Sequence, residues 1–154
     1  MRICVRRPVW DSAECQSLIR RILVLVEDSW HVLDVEPADF EETVWSQNAT
    51  SIDFELMRYA SVAASYSVAS KVHQSSLEVP NPQFSFAEVS TYISEPVRIL
   101  VENRFTDGAL LDASIKCFGE KALVSLYKNS GLVLEHSGGT GEMVKFVRYF
   151  KKRA

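Results

Sequence analysis

Apolar residues in the first half of the chain recur at helical spacing. Leu18, Ile22, Leu25, Val26 and Ser29 share one face, and Leu23 widens the stripe. This pattern predicts a helix starting at Asp11, whose carboxylate caps the first turn while Glu14, three residues on, completes a capping box. The stripe fades over Leu33–Val35. Pro37 then suits the first turn of a second helix, with Asp39, Glu41 and Glu42 at its positive end. A third helix is predicted over Asp53–Gln74, where Leu56, Ala60, Ala63, Ala64 and Ala69 form a face of small residues that lets neighbours approach closely. Strand-forming segments are scarce here: Ile3–Val5 is short and Phe84–Val89 is weakly patterned. Residues 1–76 therefore read as a helical domain, and residues 77–95, with Pro80 and Pro82 and Pro96 just beyond, read as an extended connector.

The period changes after Pro96. Val97–Val101 is a short β-rich run that ends on the carboxylate of Glu102. Asp107 and Gly108 open a helix carrying Leu110, Leu111, Ile115 and Phe118, which Gly119 ends. Lys121–Asn129 reads as a further helix with Ala122, Leu123, Leu126 and Tyr127 on one face and Gly131 as its C-terminal glycine; a strand over Leu123–Tyr127 is the competing reading. Leu132–His136 is a second strand, and Ser137-Gly138-Gly139-Thr140-Gly141 leads from it into a helix from Glu142 to Lys152 with Met143, Phe146, Val147 and Phe150 on its apolar side. Strand, helices and strand in this order predict a parallel βαβ unit over residues 96–154. The fold class is thus α/β, a helical unit followed by a partial Rossmann-like unit.

Composition narrows the class without naming a chemistry. The 154 residues are 47% hydrophobic and 24% charged, ordinary globular usage. A net charge of −3 provides no basic field to hold nucleic acid by charge alone. Cys4, Cys15 and Cys117 contain no CxxC pair, which argues against a disulfide framework or a zinc ribbon and fits a reducing cytoplasm. The start, Met-Arg-Ile-Cys, lacks the apolar core of a signal peptide, and the longest apolar run, Ile22–Val26, is far too short to span a bilayer. The reading is a cytoplasmic protein with no membrane partner.

Chemistry concentrates in the second half. Ligands of open α/β sheets bind at the carboxyl ends of the strands, and Glu102 stands at such an end. A carboxylate there suits a hard divalent cation, and Asp107 is a second acidic candidate, although a solvated strand end and a helix cap are the plainer roles for the two. Gly138, Gly139, Thr140 and Gly141 form a loop between a strand and a helix N-terminus, where glycines let a phosphate approach free N–H groups. The loop is neither a P-loop nor a dinucleotide fingerprint, and a ligand-free turn is its commoner meaning. His31, His73 and His136 share no metal spacing, but His136 ends the second strand beside the glycine loop. Cys117 reads as a small core residue. Trp10, Trp30 and Trp45 read as packing or partner contacts. Lys145, Arg148, Lys151, Lys152 and Arg153 form a basic helix end suited to solvent or to a nucleic-acid backbone.

Residues 96–154 resemble the first part of a Toprim domain, the catalytic fold of topoisomerase/primase-type enzymes, overcoming-lysogenization-defect nucleases and several phage-defence effectors. The matching elements are Ile99-Leu100-Val101-Glu102, the acidic Asp107 before Leu110-Leu111, and the strand leading to Gly138-Gly139. The resemblance implies a catalytic and metal-binding role for Glu102 and Asp107, with Mg²⁺ or Mn²⁺ acting on a phosphodiester. The family pattern departs in two places. Asn103 stands where many members have glycine, and no Asp-x-Asp pair occurs in the 154 residues. Two parallel strands make a meagre sheet. The resemblance therefore implies a nuclease subunit of antiviral defence or DNA processing, completed by a second protein chain, a second copy, or a further C-terminal segment. Two alternatives are a noncatalytic adaptor with a degenerate Toprim-like portion and a small-molecule phosphate-binding module built on the glycine loop.

Overall fold

The computed structural model describes residues 1–68 and 76–151. The expectations placed on Ala69, His73, Gln74, Lys152 and Arg153 lie outside these residues, as do those on the side chains of Ala63, Thr140, Phe146, Phe150 and Lys151. The chain divides into two compact units, Met1–Glu95 and Pro96–Ala154. Among the described residues, no helix is long and apolar enough to cross a membrane.

The first unit is mixed α/β, which corrects the helical reading of residues 1–76. Strand β1 (Arg2–Val5) lies between β2 (Val32–Asp34) and β3 (Ser76–Val79), parallel to both. Alternation fixes which face is buried: Ile3 sits between Leu33 and Leu77 in register, Val5 opposes Val79, and all five are buried. The opposite face carries Arg2, Cys4, Asp34 and Glu78, with an ion pair of 3.3 Å from Arg2 to Asp34. Arg6, just past β1, pairs with Glu78 at 2.8 Å.

Helix α1 (Arg7–Trp10) carries Pro8 in its first turn, and Asp11 closes it rather than starting the next helix. The chain then passes through a 3-10 turn, Ala13–Cys15, into α2 (Gln16–Glu27) with no side-chain cap, so the predicted Asp11–Glu14 box does not form. Leu18, Ile19, Ile22, Leu23, Leu25 and Val26 of α2 are buried. Pro37 does begin a short helix, α3 (Pro37–Phe40), followed by α4 (Val44–Asn48) and α5 (Ser51–Val68). Trp10, Phe40, Trp45 and Phe54 form a chain of tilted and edge-on rings with neighbouring centroids 5.2–5.9 Å apart. Trp10 is itself buried and donates its indole N–H to the Val5 carbonyl at 3.2 Å.

Asp53 is nearly buried at the start of α5. Burial pushes its carboxyl up, but hydrogen bonds from Thr50 and the Arg20 guanidinium outweigh this and hold it below its ordinary value. The predicted connector is also corrected. It contains β3 and a helix, α6 (Phe86–Ile93), opened by a reciprocal Ser85–Glu88 capping box and buried through Val89 and Ile93.

In the second unit, β4 (Val97–Val101) pairs in parallel with β5 (Leu132–His136), Val97 opposite Leu132 and Val101 opposite His136. Between them run a π-turn (Arg104–Gly108), α7 (Ala109–Phe118) and α8 (Lys121–Lys128), and α9 (Thr140–Lys151) follows β5. The helical reading of Leu123–Tyr127 holds. Asp107 lies within the π-turn and does not open α7. The C-terminal stop of α8 is Ser130 at φ 61°, not Gly131, with Gly131 donating back to Leu126 at 2.8 Å. Helix α2 ends identically, with Ser29 at φ 65° and Trp30 donating to Leu25 at 2.8 Å. The buried apolar residues described in this unit are Val101, Ile115 and Leu132. Phe118 is 87% exposed and Leu110 69%, and Cys117 is exposed rather than a core residue.

Candidate functional site

Strand β4 delivers Glu102 to the carboxyl edge of the sheet. Its partner β5 ends there with His136, and Ser137 fastens the two ends. The Ser137 amide and hydroxyl both donate to the Val101 carbonyl, at 3.0 and 3.2 Å. Beyond this clamp the chains diverge, one into the π-turn and the other into the glycine turn. A shallow, open depression lies between them, lined by Glu102, Asn103, Phe105, Asp107, His136, Gly138 and Gly139. Four residues singled out from the sequence, Glu102, Asp107, Gly138 and Gly139, thus meet in one place, and His136 joins them. Gly141 does not line it.

Asn103 organises the π-turn. Its side-chain oxygen accepts from the Phe105 amide at 2.9 Å, and its carbonyl accepts from the Gly108 amide at 3.0 Å. Asp107 reaches back to accept from the Asn103 amide at 3.2 Å and from the Thr106 hydroxyl at 3.3 Å. Its carboxylate therefore ties the turn together. The Glu102 carboxylate has no hydrogen-bond or ion-pair partner among the described residues and is exposed to solvent. Sequence reasoning passed over Asn103 and Phe105 as site residues. An asparagine two residues before an amide that must be satisfied is an Asx-turn signal, available in Asn103-Arg104-Phe105.

The glycine turn depends on backbone freedom at two positions. Gly138 sits at φ 75° and Gly139 at φ 111°, conformations that a Cβ strains. The Gly139 carbonyl accepts from the Glu142 and Met143 amides at 3.1 and 3.0 Å, which winds the first turn of α9. The amides of Thr140 and Gly141 stand where a helix offers no carbonyl of its own. Glu142 already answers the positive helix end in part, and is paired with Lys145 at 2.6 Å.

Glu102 and Asp107 supply oxygen donors of the kind a hard cation takes. Among the described residues, no group of three His, Cys, Asp or Glu is placed to hold a metal ion. Of these two carboxylates, Asp107 is committed to its own turn and Glu102 is not. The chain matches no family model, no curated protein and no solved structure.

Proposed function

We propose that the chain is the Glu102-bearing subunit of a Toprim-type, metal-dependent nuclease that acts on nucleic-acid phosphodiesters. It would work in the cytoplasm in prokaryotic antiviral defence or DNA processing, its metal site completed by a second chain or a further segment. The observation that carries this reading is the meeting of Glu102, Asp107 and the Gly138–Gly139 turn at the carboxyl edge of a parallel strand pair. Mg²⁺ or Mn²⁺, held through one or two carboxylates and substrate oxygens, would supply phosphate polarisation and an activated water. Glu102 would bind that cation, Asp107 would fix the turn that carries the wall of the cleft, and His136 would stand beside the phosphate.

The test is cleavage of single- and double-stranded nucleic acid by the full chain together with any protein that co-purifies with it. Glu102→Gln is expected to lower Mg²⁺- or Mn²⁺-dependent cleavage by roughly a hundredfold or more, the scale of losing one charge-stabilising group at a reacting centre, with the thermal midpoint unchanged. Equal cleavage by both proteins, or none by either, ends the proposal.

A second reading has its own observation. Leu110 and Phe118 of α7 are largely exposed, as expected of a docking surface on a noncatalytic adaptor. Leu110→Asp is then expected to release a co-purifying protein, whereas Glu102→Gln leaves it bound.

A further inference from the structure

Helix α5 is apolar on more than the side it buries. Asp53, Met57 and Ala60 are buried, yet Ile52, Tyr59 and Val62 stand 66%, 48% and 52% exposed. Ile52, Leu56 and Tyr59 recur at i, i+4 and i+7, and Val62 follows one turn on, so the four make one continuous stripe. The stripe lines an open groove together with Glu55, Arg58 and, from the end of α2, Glu27. A surface helix ordinarily keeps its outer face polar, and an exposed apolar stripe rimmed by charges marks an interaction surface.

The charges beside the stripe say what covers it. Glu55 and Arg58 lie on one flank, three residues apart, and pair at 2.7 Å while their side chains stay 69% and 77% exposed. When two identical helices pack antiparallel across a two-fold axis, each flank meets the same flank of the other helix. An axis near residue 57 then sets Glu55 beside Arg58 of the second copy, twice by symmetry, and lays Ile52 against Val62 of the second copy. Leu56 and Tyr59 close around the axis. Parallel packing would turn the charged flank toward the other side of the stripe and leave both charges unanswered. A uniformly acidic or basic partner would be repelled by one member of the pair. The surface is complementary to itself.

We propose that the α5 stripe is the interface of a homodimer, with the two copies of α5 antiparallel. The interface lies wholly within Met1–Glu95 and owes nothing to Glu102, so it stands or falls apart from the nuclease reading.

Sedimentation velocity of the full chain over a range of concentrations is expected to show a monomer–dimer equilibrium. Tyr59→Asp puts a charge at the centre of the stripe and is expected to weaken the dimer roughly tenfold or more, the scale of a central interface residue. Glu55→Arg and Arg58→Glu each set like charges across the axis, and each is expected to weaken it by about as much. Mixed in equal amounts, these two charge variants are expected to form a heterodimer, seen by native mass spectrometry, because each supplies the charge that the other lacks. A pair acting only within its own chain gives no such rescue. All three side chains are exposed, so the single variants are expected to melt like the parent.

A chain that stays monomeric at every concentration overturns the interface, as does a dimer that Tyr59→Asp leaves intact. Charge variants that stay apart when mixed overturn the antiparallel pairing. Release of a different co-purifying protein by Tyr59→Asp, from a chain that does not self-associate, gives the groove to a foreign partner and overturns the homodimer as well.

Discussion

The two units use a parallel sheet in opposite ways. In Met1–Glu95 the three strands close over a cluster of nineteen buried apolar residues among those described, and the sheet's outer face is occupied by paired charges. In Pro96–Ala154 two strands share three buried apolar residues among those described, while aromatic and aliphatic side chains stand in solvent. Buried apolar area is the main source of folding free energy, at about 25 cal/mol per Å². The first unit is therefore the stable body of the chain. The second unit carries the open strand ends, the glycine turn and the exposed Phe105. Stability and candidate chemistry are divided between them.

The sharpest way to break this contrast is to remove the centre of each core. Trp10→Ala takes away a buried ring that touches Phe40 and Trp45 and donates to Val5, and is expected to cost about 3–5 kcal/mol. Ile115→Ala is expected to cost about 2 kcal/mol, the low end for such a truncation, because Val101 and Leu132 are the other buried apolar residues described in its unit. Urea unfolding with amide exchange resolved by unit measures both. Equal losses would show that the second unit is as tightly built as the first.

A smaller effect is confined to the first unit. His31 bonds the Ile93 carbonyl through Nε2 at 2.7 Å, so Nε2 carries the proton in the neutral ring, and Nδ1 is buried. Burial is the main reason that its pKa lies below the ordinary value. The unfolded chain then takes up a proton before the folded one does. Stability is full above the ordinary histidine pKa of about 6.5 and falls as pH drops from there toward the folded value. A falling urea midpoint between about pH 7.5 and pH 5, flattened in His31→Gln, is the expected result. An identical slope in the variant would remove His31 as the cause.

The smallest effect should treat the units alike. Ser29 and Ser130 hold the left-handed positions at the ends of α2 and α8. Replacing either by glycine relieves a Cβ clash and is expected to stabilise by about 0.5–1 kcal/mol. Thermal midpoints of the two single variants check this, and a gain at only one of them would expose a constraint that the shared geometry hides.

What was legible in the sequence follows the same division. The second unit is built locally: two β-rich runs, each five residues long, flank one helical crossover, so its order could be read from period and punctuation. The first unit's sheet draws three- and four-residue strands from the start, from near Leu33 and from near Leu77. Such strands offer one or two inward residues each, too few to register against helical periodicity. Ser85 and Glu88 carry the capping-box pattern of α6, but the sequence reading missed it and took the proline-containing stretch for a connector. In the site, Glu102 and the glycines were legible because their place at strand ends carries meaning. Phe105 was not, because exposure is a property of the fold and nothing in an apolar letter declares it.

The double donation from Ser137 to Val101 bears on how the cleft meets a ligand. Glu102 follows the clamped carbonyl directly on one chain, and Gly138 follows the clamping serine directly on the other. The two walls are thus rooted one residue from a shared anchor, and their roots cannot drift apart while it holds. A ligand settling between them finds the spacing already set, and the ordering it must impose is confined to side chains beyond the anchor.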